Sequence, residues 1–413
     1  MRKLDEMLTP KQQEFFFAED KRLNFLTGSV RSGKTYVSLL KFAMLVASAP
    51  KDSRFLFCGV TLTSLKRNCL DLLMDLVGKN NMSYSMAMKE GKLFGRTIFL
   101  EGASDSTSEQ KIRGLTLAGA YCDEVTLYKE NFFSMLLSRL SVKGAKLYAT
   151  CNPDRPSHFI KKKFIDNKEL DSANWVFMIK DNTFLEAEYI ENIQKEYSGV
   201  FYDRYILGKW VNAEGLIFPM FEGASGRATF GKGETYADYT LSIDYGTQNA
   251  FAGILWGLHN GVWYAIDEYY YSGRDTGQPK TDSEYAEAIE EWLSKYIDIE
   301  GRPERLRTIV DPSAASFIVT LKRSGKYKVL KADNEVLNGI RETATAMKRG
   351  YIKVNPDMEH WYEEVAGYSW DEKATEDKPI KEADHLMDAT RYFVKTMRLN
   401  KKHTDSYSPM WAM

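Results

Sequence analysis

Two hydrophobic rhythms alternate through the N-terminal half of the chain. A short β-prone run at Leu23, Phe25 and Leu26 precedes a segment with apolar residues at 36, 37, 39, 40, 43 and 44, the spacing of a helix with one buried face. RFLFCGVT (54–61) is continuously apolar, as in a strand covered on both sides. The same reading predicts a helix near 63–77, a pair of short strands within 84–101, a strand in LAGAYCDE, a helix near 129–139 and a strand in KLYATCNPD (146–154). Thr9-Pro10-Lys11-Gln12 reads as a helix start, with Thr as cap, Pro at the first helical position and Gln at the third. Strands alternating with helices imply an α/β domain built on a parallel sheet.

From about 172 to 235 this rhythm is lost among aromatic, Gly and Pro residues. The segment reads as a connecting subdomain ending in a glycine-rich linker near 223–233. A second pattern then begins. YTLSIDYG (239–246), AFAGILWGLH (250–259) and VWYAIDEYYY (262–271) read as three strands, with Asn260-Gly261 as a hairpin turn. A helix over about 282–298, the strand LRTIVDP (306–312), another helix, a strand near 327–331 and helices at about 334–349 and 356–367 follow. ADHLMDATRYFVKTM (383–397) is the last helix. Three antiparallel strands followed by alternating helix and strand is the order of the RNase H fold. The expected division is 1–175, 176–233 and 234–413.

Composition narrows the classes. Of 413 residues, 44% are hydrophobic and 27% charged, which suits a globular chain with sizeable cores. With 56 basic and 57 acidic residues, any nucleic-acid contact must come from a local patch. Lys161-Lys162-Lys163 is one candidate and reads equally well as a solvated loop. The four cysteines show no C-x-x-C pairing and are expected to be buried free thiols in a reducing compartment. No run of about 18 apolar residues suggests a membrane span, and the charged N-terminus does not read as a signal peptide.

The chemistry starts at Gly28-Ser29-Val30-Arg31-Ser32-Gly33-Lys34-Thr35, the G-x-x-x-x-G-K-[ST] phosphate loop. Its glycines let backbone N–H groups surround a polyphosphate, Lys34 reaches the β/γ-phosphates and Thr35 coordinates Mg²⁺. Gln12 or Gln13 can read an adenine base; Gln12 serves equally as a helix-cap residue. Asp123-Glu124, at a strand end, form a Walker B pair: Asp123 supports Mg²⁺ and Glu124 orients or deprotonates water. Alternatively they cap the next helix. Thr150 and Asn152 lie at a strand's carboxyl end, where a γ-phosphate can be sensed; Asn152-Pro153 also reads as a plain turn. Arg31, inside the loop, and Arg113, before the Walker B strand, are arginine-finger candidates, the latter acting on a neighbouring subunit. A surface ion pair is the other account of Arg113.

In the second half, Asp244 is expected in mid-strand among apolar neighbours, where a charge is costly unless paired or metal-bound. Asp311 ends the fourth strand and Asp388 lies on the last helix, with Asp384 and His385 one turn earlier. Together these carboxylates can hold two Mg²⁺ or Mn²⁺ ions roughly 4 Å apart. The plainer alternatives are an N-cap role for Asp311, an Asp388–Arg391 pair and a first-turn acid at Asp384. His385 is a possible ligand or phosphate-orienting group. Asp267-Glu268 reads as a solvated strand end, with Glu268 in reserve as a ligand.

GSVRSGKT, IRG before the Walker B strand, YCDE, ATCNP, SIDYG, IVDPSAAS and DHLMDATRY together resemble the large terminase subunits of tailed bacteriophages, nearest the compact type of phages and prophages of Gram-positive bacteria. The resemblance runs from about Thr9 to Tyr392. It implies a P-loop ATPase domain joined to an RNase H-like nuclease, driving viral double-stranded DNA into a prohead and cutting concatemers. It implies ATP with Mg²⁺ at the loop and two Mg²⁺ or Mn²⁺ at Asp244, Asp311 and Asp388. Double-stranded DNA, the portal protein and a small terminase subunit are the implied partners. A ring on the portal, a monomer when free, and the cytoplasm of the infected host complete the expectation. The rival accounts are a helicase-like translocase-nuclease of repair or restriction, and a nucleotide-switched assembly protein with an inactive nuclease fold.

Overall fold

The computed structural model describes residues 7–103, 108–219, 236–246, 250–301 and 304–402. The linker expected near 223–233 lies outside the described residues. The chain divides into two compact units. The first comprises residues up to 194 with 200–212; the second comprises 195–199 and residues from 213 onward.

The first unit is built on β1 (Leu23–Gly28), β2 (Arg54–Gly59), β3 (Met82–Ser85), β4 (Glu90–Leu93), β5 (Arg96–Gly102), β6 (Gly119–Cys122), β7 (Lys146–Thr150) and β8 (Ser172–Phe177), in the order β3-β4-β5-β2-β6-β7-β1-β8. The run from β5 to β8 is parallel, and β3 and β4 add an antiparallel edge. The period of two sorts the side chains. Phe55 and Phe57 join one core with Phe42 and Tyr148; Leu56 and Cys58 join another with Phe25 and Phe133. Every residue of β1 is buried, as a strand covered on both faces requires. All four cysteines are buried free thiols.

Helices among the strands include α1 (Pro10–Phe17), α2 (Lys34–Ser48), the stretch 62–77 with a π turn at Lys66–Leu70, and α3 (Glu130–Arg139). Two expectations need correction. Residues 84–101 hold parts of three strands, not two, because Phe94 and Gly95 at φ 49° and 81° make a tight turn between β4 and β5. Residues 172–177, expected to be irregular, form β8 beside β1. As an edge strand it is only partly buried, so Ser172 and Asn174 interrupt its apolar pattern.

The second unit carries β9 (Asp238–Asp244), β10 (Ala250–His259), β11 (Val262–Ser272), β12 (Leu306–Val310), β13 (Tyr327–Lys331) and β14 (Ile352–Val354), ordered β13-β12-β9-β10-β11-β14. β9, β10 and β11 are antiparallel; β12 lies parallel to β9. Asn260 and Gly261, at φ 49° and 79°, make the expected hairpin turn. β14, only three residues long, left no readable pattern. Its longer helices include α4 (Asp282–Leu293), α5 (Ala315–Ser324), α6 (Val336–Lys348), α7 (Glu359–Gly367) and α8 (His385–Thr396).

One face of this sheet packs Leu241, Ile243, Phe251 and Leu255 against Tyr285 and Ile289 of α4 and Phe317 of α5. On the other face α8 lies over β9 and β10. Phe393 there stacks on Trp256 with centroids 4.1 Å apart, and the Trp256 indole donates to Ser242. Such an aromatic pair contributes roughly 1 kcal/mol beyond its buried area. This packing fixes α8 above the strands. β9 ends at Asp244, its last pair being with Ala252, so that carboxylate stands at the strand's end and not in mid-strand.

Candidate functional sites

The loop between β1 and α2 is shaped by its two glycines. Gly28 has φ 126°, and a Cβ there would lie 2.0 Å from the Phe177 carbonyl oxygen. Gly33 has φ 82° and starts α2 without a side-chain cap. The first N–H groups of α2 thus face outward, ready for an anion. Other segments hold the loop from outside. Ser29 N donates to Phe177 O (2.9 Å) and Val30 N to Tyr205 O (2.8 Å), while Asn182 Nδ2 donates to Arg31 O (2.8 Å). Ser32 Oγ closes the loop on Ser29 O.

Gln12 uses both ends of its amide. Oε1 accepts from Thr9 N (2.9 Å), completing a capping box, and Nε2 donates to Gly33 O (3.0 Å). Gln13 turns instead to the Leu8 carbonyl. Gln12 is thereby bonded to the loop.

Lys34 is buried, and its ammonium donates to Ser29 O (2.9 Å) and Asn152 Oδ1 (2.8 Å). Burial holds its pKa below the ordinary ammonium value, against the opposing pull of Cys151, Glu124 and Asp123. Thr35, next in α2, is half-buried. At the end of β6, Asp123 accepts from Thr150 Oγ1 (2.8 Å) and Asn68 Nδ2 (3.3 Å). Glu124 takes φ 56°, a left-handed turn for a non-glycine residue, and its N–H meets the same Thr150 hydroxyl at 3.3 Å. One hydroxyl thereby joins both acids to β7. The helix expected near 129–139 starts at Glu130 behind Lys129, so the two acids do not cap it; Glu124 stands before a single 3₁₀ turn, Val125–Leu127, without a side-chain cap bond.

The arginines differ. Arg31 is exposed at the tip of the loop with φ 56°. Arg113 follows the short helix Ser108–Ile112 and pairs with Glu109 at 2.6 Å on the surface. Among the three adjoining lysines, Lys161 pairs with Asp166 and Lys163 with Glu130; Lys162 is exposed.

In the second unit the ends of β9 and β12 bring two carboxylates to one phenol. Tyr392 of α8 donates to Asp311 Oδ2 (2.8 Å), and its hydroxyl lies 3.5 Å from Asp244 Oδ1. Asp244 Oδ2 meets His385 Nδ1 at 2.8 Å. Burial pushes the Asp244 carboxyl up, and the His385 contact only partly offsets it. For His385 the balance runs the other way: burial lowers its pKa, but Asp244 raises it further. Burial also pushes Asp311 up, yet bonds from Ser313, Tyr392 and Asn334 outweigh it and hold the carboxyl below its ordinary value. Asp311 caps no helix; it accepts from Ser313 N (2.7 Å) in a turn, and α5 begins behind Ala314.

Asp388, in the first turn of α8, is buried between two cations. Lys381 Nζ lies 3.0 Å from Oδ2 and Arg391 Nη2 lies 2.9 Å from Oδ1. Asp384 precedes α8 and pairs with the same Lys381 at 2.8 Å. Asp267 and Glu268 are not a solvated strand end. Glu268 accepts from the backbone of His360 (2.8 Å) and Trp361 (2.9 Å), holding the start of α7, and Asp267 accepts from Trp292 and Tyr296.

Both halves of the chain match known proteins. Residues 25–224 match the family described as terminase large subunit, T4likevirus-type, N-terminal. Residues 236–396 match the terminase RNaseH-like domain. Among solved structures, the large terminase of the thermophilic bacteriophage D6E is 38% identical, covers 95% of this chain and 99% of its own, and superposes with a TM-score of 0.87. The chain belongs to the terminase large-subunit family. Two further structures of the D6E protein, in complex with ADP and with ATP-γ-S, match with TM-scores of 0.85 and 0.84 and identities of 38% and 37%; they cover 95% and 94% of this chain and 100% and 98% of their own. No curated protein sequence matches the chain. This large subunit joins an ATPase of the packaging motor to an RNase H-like nuclease. The repair or restriction translocase gives way to that assignment. Among the described residues no helix is long and apolar enough to cross a membrane.

The donors of the nuclease site are hard oxygens, which suit Mg²⁺ or Mn²⁺. Asp244 and Asp311 already converge on Tyr392. Among the described residues, no three His, Cys, Asp or Glu side chains are gathered tightly enough to hold one ion. Both oxygens of Asp388 are engaged by cations of the chain itself. Four residues at these sites escaped the sequence reading: Tyr392, Lys381, Asn68 and Glu364, whose Oε2 accepts from Leu386 N (2.6 Å) and Met387 N (3.2 Å) at the start of α8. Only Tyr392 carried a signal, lying four residues after Asp388 on the same helix face.

Proposed function

We propose that the first unit hydrolyses ATP with Mg²⁺ and that the second cuts double-stranded DNA with two Mg²⁺ or Mn²⁺ ions held by Asp244, Asp311 and Asp388. The functional division takes an ATPase part in 1–175, a connecting part in 176–233 whose Phe177, Asn182 and Tyr205 support the phosphate loop, and a nuclease part in 234–413. Lys34 leaves Asn152 for the β/γ-phosphates, while Thr35 and Asp123 serve the bound Mg²⁺. Glu124, set in a left-handed backbone turn beside Asp123, orients the attacking water. Gln12 joins the base side of the site to Gly33. Release of Asn152 frees the segment after β7, and Thr150 transmits the same event to Asp123 and Glu124; both act as coupling residues. Arg31 serves the transition state from its own chain and Arg113 serves a neighbour's, after parting from Glu109.

In the nuclease, divalent ions held by Asp244, Asp311 and Asp388 would supply an activated water and neutralise charge on the leaving 3′-oxygen. Asp311 is favoured over Glu268 as a ligand because Glu268 is committed to α7. His385 orients Asp244, and Asp384 stands by Asp388. The observation that carries this reading is the single hydroxyl of Tyr392 reaching both Asp311 and Asp244. DNA is gripped through backbone phosphates, because packaging accepts any sequence. The working form is a ring on the portal, supplied by a small terminase subunit, in the cytoplasm of the infected host; the free chain is a monomer.

The test is plasmid cleavage by the full chain in Mg²⁺ or Mn²⁺, beside Asp244→Ala and Lys34→Ala. Cleavage lost in the first variant and kept in the second is expected. Unchanged cutting by Asp244→Ala would overturn the metal assignment, and a folded wild type that never cuts would favour an inactive nuclease fold.

A further inference from the structure

We propose that Lys381 is the nuclease site's own counter-ion, held on the metal-holding Asp388 and on Asp384 beside it, and that metal loading displaces it. The inference rests on the nuclease reading above. Lys381 Nζ bridges Asp384 Oδ2 (2.8 Å) and Asp388 Oδ2 (3.0 Å). Both acids are buried, so without a cation their charges would be costly.

The two cations on Asp388 are built differently. Arg391 is buried and also donates to the carbonyls of Asn334 (2.7 Å) and Glu335 (3.2 Å). Its stem crosses α6 at Gly339, where a Cβ would lie 2.6 Å from Arg391 Cγ. Arg391 is therefore locked on Oδ1. Lys381 has a side chain 56% exposed and sits outside any helix or strand, just before α8. Its long stem can swing into solvent at little cost, and a half-exposed ammonium is a weak competitor for hard oxygen donors. Withdrawal frees Asp388 Oδ2 and Asp384 Oδ2 together. Asp244, which feels the charge of both acids, shares that neighbourhood. Lys381 thus keeps the acids neutralised until metal arrives.

The experiment is calorimetric titration of Mn²⁺ into the full chain without nucleotide, comparing wild type, Lys381→Met and Lys381→Arg, with thermal unfolding in EDTA and in saturating Mn²⁺. Methionine keeps the stem and removes the charge. Two partly exposed ion pairs imply Mn²⁺ binding roughly three- to thirty-fold tighter in Lys381→Met. Lys381→Arg should bind no more tightly than wild type. In EDTA the methionine variant should melt lower, and saturating Mn²⁺ should close that gap. Equal or weaker Mn²⁺ binding by Lys381→Met would overturn displacement while leaving the nuclease reading intact. No Mn²⁺ binding by either folded protein would overturn both.

Discussion

Replacing Glu364 by glutamine asks how the start of α8 is held. Glu364 is 4% exposed, and its Oε1 is buried without a hydrogen-bond partner. Burial pushes its carboxyl from 4.5 up to about 7, against the pull of the Met387 and Leu386 N–H groups. The folded chain therefore keeps a proton that the unfolded chain releases. This contribution is complete below about pH 4.5, fades as pH rises and is gone above about 7. Each unit of separation corresponds to ~1.4 kcal/mol, so the whole window amounts to roughly 3 kcal/mol. Glutamine retains an acceptor for the two N–H groups and has nothing to ionise. Urea unfolding of wild type and Glu364→Gln in EDTA, across that pH window, provides the assay. The stability difference should move in the variant's favour by roughly 3 kcal/mol between the acid and neutral ends. Parallel pH curves would refute the argument, because other titrating groups are common to both proteins.

Gly28→Ala should destabilise the first unit by at least ~2 kcal/mol, from its left-handed backbone and the clash with Phe177 O, and should abolish ATP binding. Thermal unfolding and nucleotide titration check it, and normal values in both would contradict the loop geometry. Arg113→Ala should leave the melting point of the free chain unchanged, since its Glu109 pair is on the surface. ATP hydrolysis by motors assembled on a portal should fall roughly a thousand-fold; full activity there would remove Arg113 from the transition state.

The parts legible in the sequence were those whose chemistry demands a residue type at a set spacing. Gly28, Gly33, Lys34 and Thr35 were readable because a phosphate loop tolerates few alternatives. Asp244 stood out as a charge in an apolar strand, although its position at the strand's end depends on where pairing with β10 stops. Asp388 kept two accounts open, and the structure shows the dull one, its Arg391 pair, coexisting with a place beside the other acids. Glu268 was ambiguous because its partners, the N–H groups of His360 and Trp361, lie about ninety residues away. Lys381 was invisible for a different reason. It sits in no periodic element, and its two ion pairs follow from how the chain enters α8. β8 was missed because an edge strand has one open face and shows no continuous apolar run.

The outward ties of the phosphate loop bear on how this protein can be divided in the laboratory. A fragment ending at residue 175 would lack Phe177, Asn182 and Tyr205, which grip Ser29, Arg31 and Val30 from the end of β8 and the segment after it. Its glycines and lysine would all be present, yet the loop would have lost three of its supports and could collapse on itself. Ending the fragment at residue 212 keeps every one of them. A weak ATPase from the shorter piece would therefore report on the cut, not on the enzyme.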